Sequence, residues 1–204
     1  MIMRRPTSNA FWLVLAATLG VIPSADAHLM NTGFGPFYDG LTHLFVTPED
    51  LLPVIALAFL AGLRGPRFGR AVLFTLPLAW LVGNAAASSL GSQGMLPVAE
   101  IILTIALGAL LAADCPLPIV AVCGLAILLG LLHGSLNGSE LPKTTSSSQI
   151  SAGVAAALFV VVSLLAGQAT SLRVVWTRVA VRVVGSWIAA IGLLMLGWAM
   201  RVPA

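Results

Sequence analysis

Imidazole and carboxylate side chains that could bind a metal ion lie at the edges of the apolar segments of this chain. His43 and Asp50 flank the start of one apolar run, and they share a face if the backbone is helical between them. Glu100 opens a later run, and His133 closes another. Imidazole favours nickel, copper, zinc or iron, and carboxylates extend the range to harder ions. These residue types therefore indicate a site for a divalent transition metal.

The stretch GLLHGSLNGSE, residues 130–140, adds to this set. His133, Asn137 and Glu140 follow at i, i+4 and i+7, on one face if the helix continues. An interfacial histidine and a solvated loop carboxylate are the structural alternatives for His133 and Glu140. Glycines at a four-residue spacing predict the close approach of a neighbouring helix; they are Gly130, Gly134 and Gly138.

The acidic residues beside His43 also have a structural explanation. Thr47 is a favourable N-cap, and Pro48 suits the first position of a helix. Carboxylates in a first turn complement the helix dipole, which accounts for Glu49 and is an alternative for Asp50. Glu100, after a proline, has the same alternative. Pro53 predicts a kink or a break in the helix that follows.

The composition is that of a membrane protein. The 204 residues are 59% hydrophobic and 8% charged, with a mean hydropathy of +1.03, whereas about a quarter of residues are charged in soluble domains. The sequence pI is near 9.5, but the cationic residues are too few and too dispersed for nucleic-acid binding. The sequence has no nucleophile–base pair, phosphate-binding loop or dinucleotide motif, so we predict that the protein is not an enzyme.

Residues 1–27 are predicted to form a signal peptide, because a basic start precedes a short apolar run and an A-x-A cleavage signal. An uncleaved anchor is the alternative. Cleavage would leave His28 as the N-terminus, where its amine and imidazole could together chelate a metal. Residues 28–204 are predicted to form one all-α domain, a polytopic transmembrane helical bundle. Its six predicted spans are about 48–64, 70–88, 95–113, 116–134, 150–169 and 180–200.

The charged residues predict an orientation in the bacterial inner membrane. A signal peptide places the mature N-terminus in the periplasm, so loops 64–70 and 170–182 should be cytoplasmic and rich in arginine. They contain six arginines, whereas the outer side has only Lys143 and Arg201. In this orientation every histidine and nearly every carboxylate lies at the outer face, and Asp114 is the exception.

The order of these motifs resembles the HupE/UreJ family of hydrogenase and urease accessory membrane proteins, regarded as nickel permeases or metal-delivery proteins. The similar features are the early histidine His28, the pattern GFxxFxxGLxH…D over 33–50, Glu100, and HGxxxGxE over 133–140. The resemblance covers about residues 28–200. It implies that the metal ligands are His28, His43, Asp50, Glu100, His133 and Glu140.

The resemblance also implies a cargo and partners. Nickel is expected first, with cobalt, copper or zinc as alternatives, and it would bind at the outer face and pass inward. The family's histidines are replaced at Leu51 and Asn137, which indicates weaker binding or a harder ion. The expected partners are the metal ion, the lipid bilayer and a metalloenzyme maturation protein. A binding module without transport, and a scaffold whose metal site has decayed, are the competing functions.

Overall fold

The computed structural model describes residues 32–87, 96–140, 146–172 and 174–201. These residues form seven α-helices and no strand, so the predicted all-α fold is confirmed. The first helix, α1, precedes the first predicted span, and each of the six predicted spans coincides with one later helix. The predicted signal peptide and His28 lie outside the described residues. The helices are α1 (Pro36–Val46), α2 (Pro48–Leu63), α3 (Pro66–Ala86), α4 (Leu96–Ala112), α5 (Ile119–Glu140), α6 (Ser146–Ser171) and α7 (Val175–Ala199).

Four of these helices, α3, α5, α6 and α7, are long and apolar enough to cross a membrane. The helices α1 and α2 qualify together, but they are bent by 75° where they join. The apolar part of α4, Pro97–Ala112, is shorter. Length and composition therefore fit four spans, or five if the bent pair is one span, and six spans remain a prediction.

The bend between α1 and α2 lies at Thr47. Pro48 occupies the first position of α2, as predicted, and its ring disfavours helical geometry at the residue before it. Thr47 accordingly has φ −108° and ψ 89° and is the N-cap residue of α2, as predicted, but its side chain makes no capping hydrogen bond. Pro53 lies inside the continuous helix α2. The chain therefore breaks at Thr47 and not at Pro53.

The helix α2 lies at the centre of the bundle and packs against each of the other six described helices. Its sequence, PEDLLPVIALAFLAGL, is apolar around the whole circumference after the first turn, which is typical of a buried helix. Val54, Leu57 and Leu60 are fully buried. The two ends of α2, near Asp50 and Arg64, therefore lie among the ends of the surrounding helices.

The glycine stripe of α5 packs directly on α3, as the spacing predicted. An added Cβ at Gly130 would lie 2.8 Å from the carbonyl oxygen of Leu76, and one at Gly138 would lie 2.6 Å from that of Asn84. At Gly134 it would meet the backbone of Trp80. Side chains at these positions would separate the helices, so the glycines fix how α5 faces α3.

Arginines and Asp114 join the helices at the far end of α2. Arg64 donates through Nη2 to the backbone oxygen and to Oδ1 of Asp114, both at 2.5 Å. Arg178, at the start of α7, donates to Oδ2 of Asp114 at 2.9 Å. Arg182 donates through Nε to the carbonyl oxygen of Ala112 at 2.8 Å. We call Arg64, Asp114, Arg178 and Arg182 the arginine cluster, which ties together the ends of α2, α4 and α7.

Candidate metal centre

The start of α2, the start of α4 and the end of α5 meet at the opposite end of the bundle. They bring Asp50, Glu100 and His133 together, with one ligand atom from each residue within 4.8 Å of the others. Asp50 and His133 are buried, and Glu100 is partly buried. We call these three residues the histidine cluster. Sequence reasoning named all three from their separate positions in the chain.

The imidazole of His133 lies between the two carboxylates. Its Nδ1 is 2.8 Å from Oδ1 of Asp50 and 2.8 Å from Oε1 of Glu100. Ionised carboxylates only accept hydrogen bonds, so this nitrogen must carry the proton that they share. In a neutral ring the lone pair is then on Nε2, which is buried and has no hydrogen-bond partner among the described residues. A cation that takes the place of this proton would bind Nδ1 beside both carboxylates, and Nε2 would then carry the ring proton.

Asp50 is held in place by two further side chains. Asn137 donates through Nδ2 to Oδ2 of Asp50 at 2.8 Å. Nε2 of His43, which is buried on α1, lies 3.5 Å from the same oxygen. The predicted shared face of His133 and Asn137 is confirmed, because α5 is helical through both residues and both contact Asp50. Both oxygens of Asp50 thus have partners.

Trp80 of α3 forms an apolar wall beside His133. The centroids of the two rings are 5.4 Å apart, with an angle of 33° between their planes. Trp80 is almost completely buried, and its Nε1 has no hydrogen-bond partner within the described part of the chain. Water is thereby kept from this side of the site, which strengthens electrostatic interactions there. No sequence pattern singled out Trp80, because a tryptophan in an apolar run has no distinctive spacing.

Glu49 adds a third carboxylate at the edge of the histidine cluster. Its side chain is partly buried and interacts electrostatically with Asp50, Glu100 and His43. The sequence analysis assigned Glu49 only to the start of a helix and so missed its place beside the site. With these carboxylates ionised, the region is net negative even when His43 and His133 are both protonated. The surplus favours a bound cation.

Comparison with known proteins identifies the family. The sequence matches the family described as HupE / UreJ protein over residues 15–195. It is also 32% identical over 184 residues to Protein HupE of Rhizobium leguminosarum bv. viciae, a match that covers 88% of this chain and 94% of that protein. The chain belongs to the HupE/UreJ family. No solved structure matches this chain.

Two predicted ligands of this HupE/UreJ protein are not placed at the histidine cluster. His28 lies outside the described residues. Glu140 is the last residue of α5, about 10 Å along the helix axis from His133, and its side chain is outside the described part of the structure. Their roles as ligands remain predictions.

The two positions where the HupE/UreJ resemblance led us to expect histidine have different environments. Leu51 is partly buried and packs against the apolar core. Asn137 points to the site and supplies a hydrogen-bond donor to Asp50. Of the two residues that stand where histidine was expected, only Asn137 therefore forms a hydrogen bond with the histidine cluster.

Proposed function

We propose that this HupE/UreJ protein binds a divalent transition-metal ion at the histidine cluster and carries it across the bacterial inner membrane from the periplasm. Nickel is the first candidate, and cobalt, copper and zinc are the alternatives. The observation that carries the proposal is the convergence of Asp50, Glu100 and His133, from three helices, within 4.8 Å.

The charge and burial of the histidine cluster support a cation as the ligand. Buried charges in proteins are paired or coordinate metals, because an unpaired charge loses its hydration without compensation. Ionisable residues within membrane segments are also typical of ion pathways. Here the carboxylates of Asp50 and Glu100 share one proton donor, Nδ1 of His133. Imidazole and carboxylate together suit nickel, cobalt or zinc better than calcium, which prefers oxygen ligands alone.

Charge asymmetry and helix breaks support the proposed path. Arg64, Arg67 and Arg70 lie near the end of α2 opposite the histidine cluster, as expected if that end is cytoplasmic. In the proposed topology α2 to α7 are the six spans. The 17 residues of α4 extend about 26 Å, somewhat less than the bilayer core. Short and broken helices at an ion site are typical of transporters.

Metal flux into liposomes tests this function. Purified protein would be reconstituted in vesicles that contain a metal-sensitive dye, with Ni²⁺, Co²⁺, Cu²⁺ or Zn²⁺ added outside. The combined variant His43→Ala, Asp50→Asn and His133→Ala should lose the influx. Asp39→Asn is the matched control, because Asp39 accepts hydrogen bonds from Thr32 and not from the cluster. Flux that persists in the triple variant would exclude transport through this site.

Equilibrium dialysis of the same preparations separates transport from the alternative function. Saturable binding without flux would reject transport and favour the alternative, in which the protein donates metal to a metalloenzyme maturation protein. If neither binding nor flux is detected for any of the four metals, the result would favour the third function, a scaffold whose metal site has decayed. The proposal requires both binding and flux, and both must depend on Asp50.

A further inference from the structure

A narrow crevice separates α3 from α6 toward the arginine end of the bundle. Its volume is about 170 Å³, below the range of about 300–1,000 Å³ typical of pockets for drug-sized ligands. A single extended chain suits this space better than a compact molecule. The lining residues that matter here are Gly69, Arg70, Leu73, Val162, Ala166 and Gly167.

Small residues leave the space that forms the crevice, and apolar side chains line it. An added Cβ at Gly69 would lie 3.2 Å from Cβ of Ala166, so the helices are in contact at this position. At Gly167 an added Cβ would meet no atom within 4 Å, so the space beside it is open. Leu73 and Val162 line the same space. An open, apolar crevice at membrane depth is suited to a lipid acyl chain.

Arg70 places a positive charge beside this apolar space. Its side chain is exposed, and it has no ion-pair or hydrogen-bond partner among the described residues. The guanidinium groups of Arg64 and Arg178, by contrast, donate to Asp114, and that of Arg182 donates to the carbonyl oxygen of Ala112. Arg70 is therefore available to an anion from outside the chain.

The position of Arg70 within α3 makes an anion more favourable there. Arg67 and Arg70 occupy the first two turns of the helix, and its first turn has no acidic residue. Cations are disfavoured at this positive end of the helix dipole, so a neighbouring anion would offset both the dipole and the arginine charges. The charge and the apolar space thus lie next to each other.

We propose that the crevice binds one phospholipid with an anionic headgroup. The phosphate contacts the guanidinium of Arg70, and one acyl chain lies between α3 and α6 along Leu73, Ser163 and Gly167, which line the crevice. Basic pockets between transmembrane helices bind anionic headgroups by this combination of charge and apolar surface. The inference does not depend on metal transport, because the crevice shares no residue with the histidine cluster.

Native mass spectrometry of the full chain tests the headgroup contact. The protein would be equilibrated with phosphatidylglycerol or phosphatidylcholine with the same acyl chains, and the bound fraction compared. We expect a preference of about fivefold for phosphatidylglycerol, and its loss in Arg70→Gln. Arg67→Gln is the matched control, since Arg67 has the same charge one turn away and does not line the crevice. No preference in the wild type, or equal losses in both variants, would overturn the proposal.

A second pair of variants tests the acyl-chain contact. Gly167→Leu should fill the crevice and reduce retention of both lipids, and Ser163→Leu serves if the first variant does not fold. Gly197→Leu on α7 is the control, because its added side chain also enters open space but lies outside the crevice. Equal effects of Gly167→Leu and Gly197→Leu would contradict the proposed site.

A competition arm separates a lipid from a small soluble anion. Millimolar inorganic phosphate should leave phosphatidylglycerol bound, because the acyl chain provides part of the affinity. Displacement of the lipid by phosphate would assign Arg70 to a soluble phosphate ligand and reject the lipid.

Discussion

The two ends of α2 hold ion clusters with opposite charge balances. At the start of the helix, Asp50 and Glu100 surround the imidazole of His133, with Glu49 nearby. At its end, one carboxylate, Asp114, accepts hydrogen bonds from Arg64 and Arg178. Carboxylates are in excess at one end and guanidinium groups at the other.

The difference between the clusters separates a binding role from a structural one. Both carboxylate oxygens and the backbone oxygen of Asp114 accept hydrogen bonds from arginines that lie in other parts of the fold. In the histidine cluster, Nε2 of His133 is buried without a hydrogen-bond partner among the described residues. Two carboxylates there share the single proton on Nδ1 of the same ring, which leaves negative charge for a bound cation to balance. The Nε of Arg64 is likewise buried without a hydrogen-bond partner among the described residues, so the charge balance, and not an unsatisfied atom, distinguishes the two clusters.

The largest effect is expected when the histidine cluster loses a charge. Asp50→Asn keeps the side-chain shape but removes the carboxylate that contacts His133 and Asn137. Metal affinity should fall at least about 100-fold, which corresponds to about 2.7 kcal/mol. Equilibrium dialysis measures the change, with Asp39→Asn as the control. An affinity within a few-fold of wild type would show that this end of α2 does not bind metal through Asp50.

The second-largest effect is a loss of stability, and it is expected from substitutions in the arginine cluster only. Asp114→Ala leaves the partly buried guanidinium of Arg64 without its carboxylate and places alanine at a backbone φ of 51°, at an expected combined cost of about 2 kcal/mol in the free energy of unfolding. Unfolding in mixed detergent–SDS micelles measures this cost. Metal affinity should stay within twofold of wild type. A large loss of metal affinity would contradict the separation of the two roles.

Removal of Asn137 should weaken metal binding by a smaller amount. Asn137→Ala deletes the donor that holds Oδ2 of Asp50 but leaves the carboxylate in place. Loss of such a supporting hydrogen bond typically lowers metal affinity about tenfold. Ser139→Ala, two residues further along α5, is the control, because its hydroxyl donates only to its own helix. Isothermal titration calorimetry with the preferred metal measures the affinity of both variants. Similar affinities would show that Asn137 does not support metal binding.

The smallest effect is expected at the exposed edge of the arginine cluster. The Arg178 side chain is 44% exposed, so Arg178→Ala should cost less than about 1 kcal/mol in the free energy of unfolding. Arg67→Ala, which removes a cation without a partner in the described structure, provides the baseline in the same denaturation assay. A cost for Arg178→Ala equal to that for Asp114→Ala would mean that Arg178, not Arg64, holds the cluster together.

The residues of the candidate site could be predicted because charge is conspicuous in apolar sequence. His43, Asp50, Glu100 and His133 each lie at the edge of an apolar segment, where a charge is costly and needs a reason. Their common location followed from helix order and the asymmetry of the arginines. The sequence could not supply their distances, because these depend on how the helices rotate about their axes.

The remaining contacts depend on tertiary packing. Trp80 reaches His133 because the glycines of α5 lie against α3, and the glycine stripe predicts an approaching helix without identifying it. Glu49 had a sufficient local explanation in the helix dipole, which concealed its electrostatic contact with Glu100. A kink or break was also predicted at Pro53, whereas α2 is continuous there and the chain bends at Thr47, before Pro48. A proline inside a helix is tolerated in a membrane protein when neighbouring groups compensate for the lost hydrogen bond.

The bend at Thr47 places His43 on a helix that packs separately from the helices of Glu100 and His133. Among the described helices, α1 packs only on α2 and α6, and not on α4 or α5, which carry the other two residues. A movement of α1 about Thr47 that withdrew His43 from Asp50 would leave α4 and α5 in place, but it would have to break the close backbone packing of α1 on α6 at Gly40 and Gly153. The number of donor atoms around an ion could thus change without the unwinding of any helix. In the proposed transport function, the loss of one donor in this way would weaken the site and favour release of the ion.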